Sequence, residues 1–252
     1  MSVSLYDMTV EEVAEAILRR PLAVIPFGSV EQHGPHLPCG TDTMASDLIA
    51  RAVAERLGGI HVPFAPYGVT PIHAGHPGTI SLTREAFEAL LRDVCSEVFE
   101  MGVQTFVLVN WHEMNTPSLD AVATDLQDKS YATFVVAQAC YVAQRLYADE
   151  GGSLTHGGSI ETMAVMAYDP SLAKVDRAGE PTRPPGAEAM DSMRRSREVY
   201  GFVTDVTQIA DEGWYGDPTW ATDERAAGFV ERVSEDVVRQ VNDVLRLRGE
   251  AT

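Results

Sequence analysis

The chain has 252 residues, with 37 Asp and Glu against 19 Lys and Arg, which leaves a formal net charge of −18 at pH 7. So acidic a surface repels a phosphate backbone, whose sequence-independent affinity rests on Lys and Arg, and it disfavours anionic membranes, so neither nucleic acid nor membrane is expected as a partner. Hydrophobic residues at 45% and charged residues at 22% are ordinary globular proportions and exclude an acidic disordered chain. Residues 1–252 read as a single α/β domain, a size at which roughly three quarters of the unfolded surface is buried. The cysteines Cys39, Cys95 and Cys140 are widely separated and odd in number, which points to a reducing cytoplasm and no disulfide framework. The N-terminus lacks a basic segment followed by an apolar one, and no apolar run reaches ~18 residues, so a cytoplasmic protein is expected.

The first predicted element is a helix from Thr9 to Arg20, with Thr9 and Glu12 spaced as a capping box and Val10, Val13, Ala14 and Ile17 on one face. Leu22 to Phe27 is an apolar run without alternation, which suggests a strand covered on both faces and ended by Pro26. A helix around Ala45 to Leu57, a strand from Ile60 to Phe64, a helix from Thr83 to Met101 and a strand from Thr105 to Val109 follow. A helix from Thr116 to Gln127 and a strand from Ala132 to Gln138 complete the alternation. Strands alternating with helices predict a mainly parallel sheet in a three-layer α/β/α fold. The Pro- and Gly-rich stretch from Arg177 to Gly201 reads as a surface excursion, and Thr222 to Arg248 as a closing amphipathic helix.

Ligands of open parallel sheets bind at the carboxyl ends of strands, so the loops there are the places to look for chemistry. The loop after the first strand places Glu31, His33, His36 and Asp42 within twelve residues, and the loop after Val109 carries His112. Six of the seven histidines fall in expected loops or at their edges, with only His61 inside a strand. Glu31 and His33 are at i and i+2, which in extended chain puts their side chains on one side, where Asp42 can meet them. Any one of these residues reads equally well as a cap or a loop acid; the clustering carries the argument. Carboxylate with imidazole is the donor mixture of Zn²⁺, Mn²⁺ or Fe²⁺, so one or two divalent ions are expected on Glu31, His33, Asp42 and His112, with Asp42 as bridge. Cys39 has no activating base and is not read as a nucleophile.

Gly28-Ser-Val-Glu-Gln-His-Gly-Pro-His-Leu-Pro with Thr41-Asp42, then His-Pro-Gly-Thr-Ile-Ser-Leu82, Asn110-x-His112-x-x-Asn115, His156-Gly-Gly-Ser-Ile-Glu-Thr162 and Gly216-Asp-Pro-Thr-Trp-Ala-Thr222 resemble, in order and spacing, the creatininase (creatinine amidohydrolase) family. The resemblance implies a creatininase-like α/β fold, a homo-oligomer, commonly a hexamer, and a metal-dependent hydrolase of C–N bonds in a small-molecule amide or cyclic amide. It implies Glu31, Asp42 and His112 on one ion, His33 and the shared Asp42 on the other, and His156 as acid/base or binding group with Glu161 in support. A water whose pKa a bound metal lowers would then attack the carbonyl carbon.

Departures bear on the substrate. The creatinine-hydrolysing branch has Tyr and then a metal-ligating Glu after the His of the metal loop, where this chain has Glu113 and Met114, so Glu113 reads either as turned inward to the second metal or as turned out to solvent. A Trp that closes over substrate in that branch is replaced by Gly152, which argues against creatinine itself. His73 matches a His of many other members, and His76 reads as surface packing. Trp111 either lines an apolar pocket or fills space behind the metal. A deformylase or small-peptide amidase of the same family, and a non-catalytic metal-binding member, are the competing readings.

Overall fold

A computed structural model describes residues 3–249 except 131 and 197; the two ends of the 1–252 reading, and Arg197 of the expected excursion, lie outside the described residues. Four strands, β1 (Leu22–Phe27), β2 (Ile60–His61), β3 (Thr105–Asn110) and β4 (Thr133–Gln138), form one sheet in the order β2-β1-β3-β4, every pair parallel. Parallel neighbours need long crossovers, here supplied by α2 (Thr41–Leu57), α3 (Arg84–Glu100) and α4 (Thr116–Ser130).

All six β1 side chains are buried because both faces of the sheet are covered. Strand alternation sorts the core into two layers. Val24, Val107 and Val109 pack with Ile49 and Val53 of α2 and with Phe229, Val233 and Val237 of α9 (Phe229–Leu247). On the opposite face Ile25, Phe106 and Leu108 pack with Ile17 of α1 (Val10–Arg19), Phe87 and Leu91 of α3, and Leu119 of α4. The expected three-layer α/β/α architecture is therefore present, and the capping box of α1 is formed by Thr9 and Glu12.

Several boundaries differ from the sequence reading, each for a physical reason. Pro26 does not end β1. Val62 N–H donates to Val24 O, so the even-numbered residues of β1 turn their backbone groups toward β2, which has stopped before the level of Pro26. The proline's missing N–H thus interrupts no ladder. The strand expected to Phe64 stops at His61, before Pro63.

The helix expected from Ala45 begins at Thr41, which places Asp42 in its first turn. The closing helix is two, α8 (Asp223–Ala227) and α9, broken at Gly228. Helices α5 (Ala139–Tyr147) and α6 (Ser159–Tyr168) were not expected. The surface excursion contains α7 (Ala187–Ser196), whose Ala187 and Asp191 are buried.

Candidate metal centre and active-site cavity

The site lies at the carboxyl ends of β1 and β3. Gly28 follows β1, and a Cβ there would stand 2.4 Å from the Thr43 backbone nitrogen. Glycine therefore lets the first turn of α2 close on the strand end and bring Asp42 under the loop that carries Glu31 and His33. Asn115 ties the neighbouring loops together, since its Nδ2 donates to Gly28 O at 2.9 Å and its Oδ1 accepts from Val69 N at 2.9 Å.

Three imidazoles are oriented by the main chain. His33 Nδ1–H donates to Glu31 O at 3.0 Å, His112 Nε2–H to Val69 O at 3.2 Å, and His156 Nε2–H to Gln32 O at 2.7 Å. A carbonyl can only accept, so each ring keeps its other nitrogen for the opposite side. Those nitrogens all face carboxylates. His33 Nε2 lies 3.3 Å from Asp42 Oδ1 and 3.5 Å from Glu161 Oε2. His112 Nδ1 lies 2.9 Å from Asp42 Oδ2 and 3.5 Å from Glu31 Oε1, and His156 Nδ1 is 3.6 Å from Glu31 Oε1.

Ring nitrogens aimed at carboxylates inside a buried cluster favour a positive charge between them, a proton or a metal ion. Burial by itself depresses an imidazole, yet Asp42 and Glu161 drive His33 up to about 10, and Glu31 and Asp42 drive His112 up to about 9. A metal ion would answer the same electrostatic demand as that extra proton. Burial, with repulsion from Asp42, pushes Glu161 above the usual carboxylate range despite His33. Two buried atoms of the cluster that could ligate a metal, Glu31 Oε2 and His33 Nε2, have no hydrogen-bond partner among the described residues. Three sets can each converge on one ion: Glu31, Asp42 and His112; His33, Asp42 and Glu161; and Glu31, His33 and His156. The donor set thus fits divalent metal, and Asp42 offers one oxygen to each of the first two sets, with Ser29 Oγ donating to Oδ2 at 2.8 Å.

Glu31, His33, Asp42, His112, His156 and Glu161 are brought together as the sequence suggested, but Glu161 reaches His33 rather than standing behind His156. His73 joins from the turn at residues 71–73: its ring lies 4.2 Å from that of His156, and its Nε2 is 3.7 Å from Glu31. Burial, with the neighbouring imidazoles, brings His73 down to about 4 although Glu31 opposes this. Gln32, which sequence reasoning missed, donates from Nε2 to His73 Nδ1 at 3.1 Å and accepts at its carbonyl from His156, so it aligns both rings. His36 holds the segment before α6 through Gly157 O at 2.7 Å, and His61 is buried against Asp47 at 3.0 Å, away from the site. His76 lies half-buried, 3.6 Å from Asp205.

Glu113 takes neither of its two expected places. Its carboxylate accepts from Tyr141 Oη at 2.7 Å and from Arg194 Nη2 at 3.0 Å, with Arg195 Nη1 at 3.4 Å, so it neither joins a metal set nor turns to solvent. Trp111 packs edge-on against Phe229 in the core and also walls the cavity.

The cavity is closed on one side by Arg194, Arg195 and Tyr215. Sequence reasoning missed these three, although an acidic first turn and a basic last turn in 187–196 are ordinary helix signals. Asp191 anchors α7 by accepting from Tyr215 Oη at 2.7 Å and Arg194 at 2.9 Å. Burial raises its pKa, but Arg195, Tyr215 and Arg194 outweigh burial and hold it below 3.8. The anchor is therefore intact above the unfolded value of 3.8 and is lost as the pH falls through the lower folded value. Asp191→Asn at pH 7 should cost about 1.5–3 kcal/mol of α7 stability, read as faster amide exchange across 187–196. Unchanged protection would show that α7 is held by other contacts.

The family model for creatininase, described as creatinine amidohydrolase, matches residues 6–241. The chain is 30% identical over 230 residues to the mycofactocin precursor peptide peptidase of Mycobacterium ulcerans (strain Agy99), covering 88% of this chain and 84% of that protein. It is 28% identical over 173 residues to the creatinine amidohydrolase of Pseudomonas putida, covering 61% of this chain and 66% of the other. A solved structure called "Creatininase Mn" superimposes with a TM-score of 0.74 at 24% identity, over 98% of this chain and 99% of that one.

Proposed function

Because the chain belongs to the creatininase family, whose members are hydrolases acting on C–N bonds, we propose that it is a metal-dependent amidohydrolase cleaving the amide bond of a short, peptide-like substrate rather than creatinine. One observation carries the metal dependence: three imidazoles, those of His33 and His112 buried and that of His156 half-buried, are each anchored to a backbone carbonyl and turn their remaining nitrogens onto the carboxylates of Glu31, Asp42 and Glu161. Glu31, Asp42 and His112 would hold one ion, and His33, Asp42 and Glu161 a second, Mn²⁺ or Zn²⁺ both suiting such donors.

A bound divalent ion supplies Lewis acidity to the scissile carbonyl and lowers the pKa of a water. The protein's own residues manage the protons. His156 keeps its Nε2 proton on Gln32 O, and burial holds the ring neutral, well below the usual imidazole range, so Nδ1 is free to accept a proton. Nδ1 takes a proton from the attacking water, and as the C–N bond breaks it passes that proton to the leaving nitrogen. Gln32 fixes the ring plane, and Leu154 and Trp111 wall the cavity against bulk water.

The substrate reading is supported by the likeness to a peptide peptidase along most of the chain and by Gly152. A Cβ at 152 would already stand 2.9 Å from Tyr147 Cβ and 3.0 Å from Trp220 Cη2, so no aromatic residue fits there to close over a small ring such as creatinine. The test is amine release from creatinine, a cyclic amide, formamides and short peptides by metal-quantified protein. Release from peptides, loss of it on chelation and recovery with Mn²⁺ or Zn²⁺ are expected. Undiminished hydrolysis by metal-free protein would overturn the metal reading, and faster turnover of creatinine than of every peptide would overturn the substrate reading.

A further inference from the structure

A second cavity adjoins the first and shares Ile72, Glu113, Met114 and Arg194 with it. The two differ in character. The first is walled by the carboxylates of the candidate metal sets, whereas the second carries Arg84 and Arg194 against the single carboxylate of Glu113, an excess of positive charge in a chain of net charge −18. Arg194 is neutralised by Glu113 and Asp191, but Arg84 is exposed at the first turn of α3 and has no hydrogen bond or ion pair among the described residues. The amino end of the helix adds to its positive potential. The same cavity is also lined by the apolar Met114, Pro117, Phe202 and Val203, and Phe202 is 88% exposed. Met114 lines both cavities.

We propose that the second cavity receives the leaving half of the substrate: an apolar amino acid or dipeptide whose side chain lies against Met114, Pro117 and Phe202 and whose free carboxylate pairs with Arg84. The inference rests on the amide-hydrolase reading above, with the scissile bond at the candidate metal centre. A guanidinium with no competing carboxylate gives a substrate carboxylate a charge-assisted, two-point contact, and an exposed phenylalanine beside it gains from being covered.

The test titrates leucyl-phenylalanine and its C-terminal amide into metal-loaded protein by calorimetry. Tighter binding of the acid by about tenfold or more is expected. Arg84→Gln should reduce that preference to less than about twofold, while Phe202→Ala should weaken acid and amide by the same factor. Both side chains are exposed, so circular dichroism of the two variants should match the parent. Equal binding of acid and amide by the parent, binding of neither, or a preference that survives Arg84→Gln, as when the carboxylate ligates metal instead, would overturn the proposal. The preference without hydrolysis of any peptide would sustain the subsite and sink the peptide-hydrolase reading; hydrolysis without the preference would do the reverse.

Discussion

Asp42→Asn is expected to lower turnover by about 10³-fold or more and to reduce bound metal when the purified protein is analysed by mass spectrometry. The substitution preserves shape and burial but replaces one carboxylate oxygen with an amide nitrogen that cannot ligate. Asp42 is the side chain whose two oxygens serve different sets, Oδ1 facing His33 and Oδ2 facing His112. Its carboxyl is held far below the usual range: burial opposes ionisation, but His33 and His112 overcome it. Loss of this charge leaves His33 with Glu161 alone and His112 with Glu31 alone. The protein should still fold, because the Thr43 hydroxyl and the Asn115 amide hold the loop by donating to the carbonyls of Ser29 and Gly28. Full metal content with full activity would show that the bridge is not needed.

His156→Gln should lower kcat by about 10²- to 10⁴-fold, the range for a positioned proton-transfer group, while metal content stays at the parent's level. The two readouts separate two roles. His156 Nδ1 can complete a metal set with Glu31 and His33, and if it is a ligand the variant loses metal along with rate. If it moves the proton, metal stays and the rate loss is smallest for substrates with an activated leaving group that departs without protonation. An equal loss on activated and ordinary substrates would overturn delivery of the proton to the leaving nitrogen by His156.

The sheet and most of the helices were legible because parallel strands buried on both faces leave unbroken apolar runs, as in Leu22 to Phe27 and Thr105 to Val109. The clustering of Glu31, His33, Asp42 and His112 could also be read, since two strand ends that are neighbours in a parallel sheet bring their following loops together. Three kinds of information were not legible. The partner of Glu113 depends on α7, about eighty residues away in sequence, so spacing near the metal loop could not reveal that Arg194 and Arg195 would take it. Glu161 was assigned by likeness to support of His156, whereas the start of α6 turns it to His33 and to Gly157 N. The end of β1 was misjudged because a proline's effect depends on which neighbour its missing N–H would have faced, and that is a property of the sheet.

The acceptors that aim the three imidazoles are the carbonyls of Glu31, Gln32 and Val69, groups that every residue type possesses. The direction of those rings is therefore written in the path of the chain and is blind to the identity of most side chains around it. Part of the cavity walls comes from other segments, α7 and residues 200–203, which contribute none of those carbonyls. Substitutions in the walls can accumulate without disturbing the centre. Such a division lets one scaffold be passed between substrates as different as a five-membered ring and a peptide, because its reactive centre and its selectivity can diverge at separate rates.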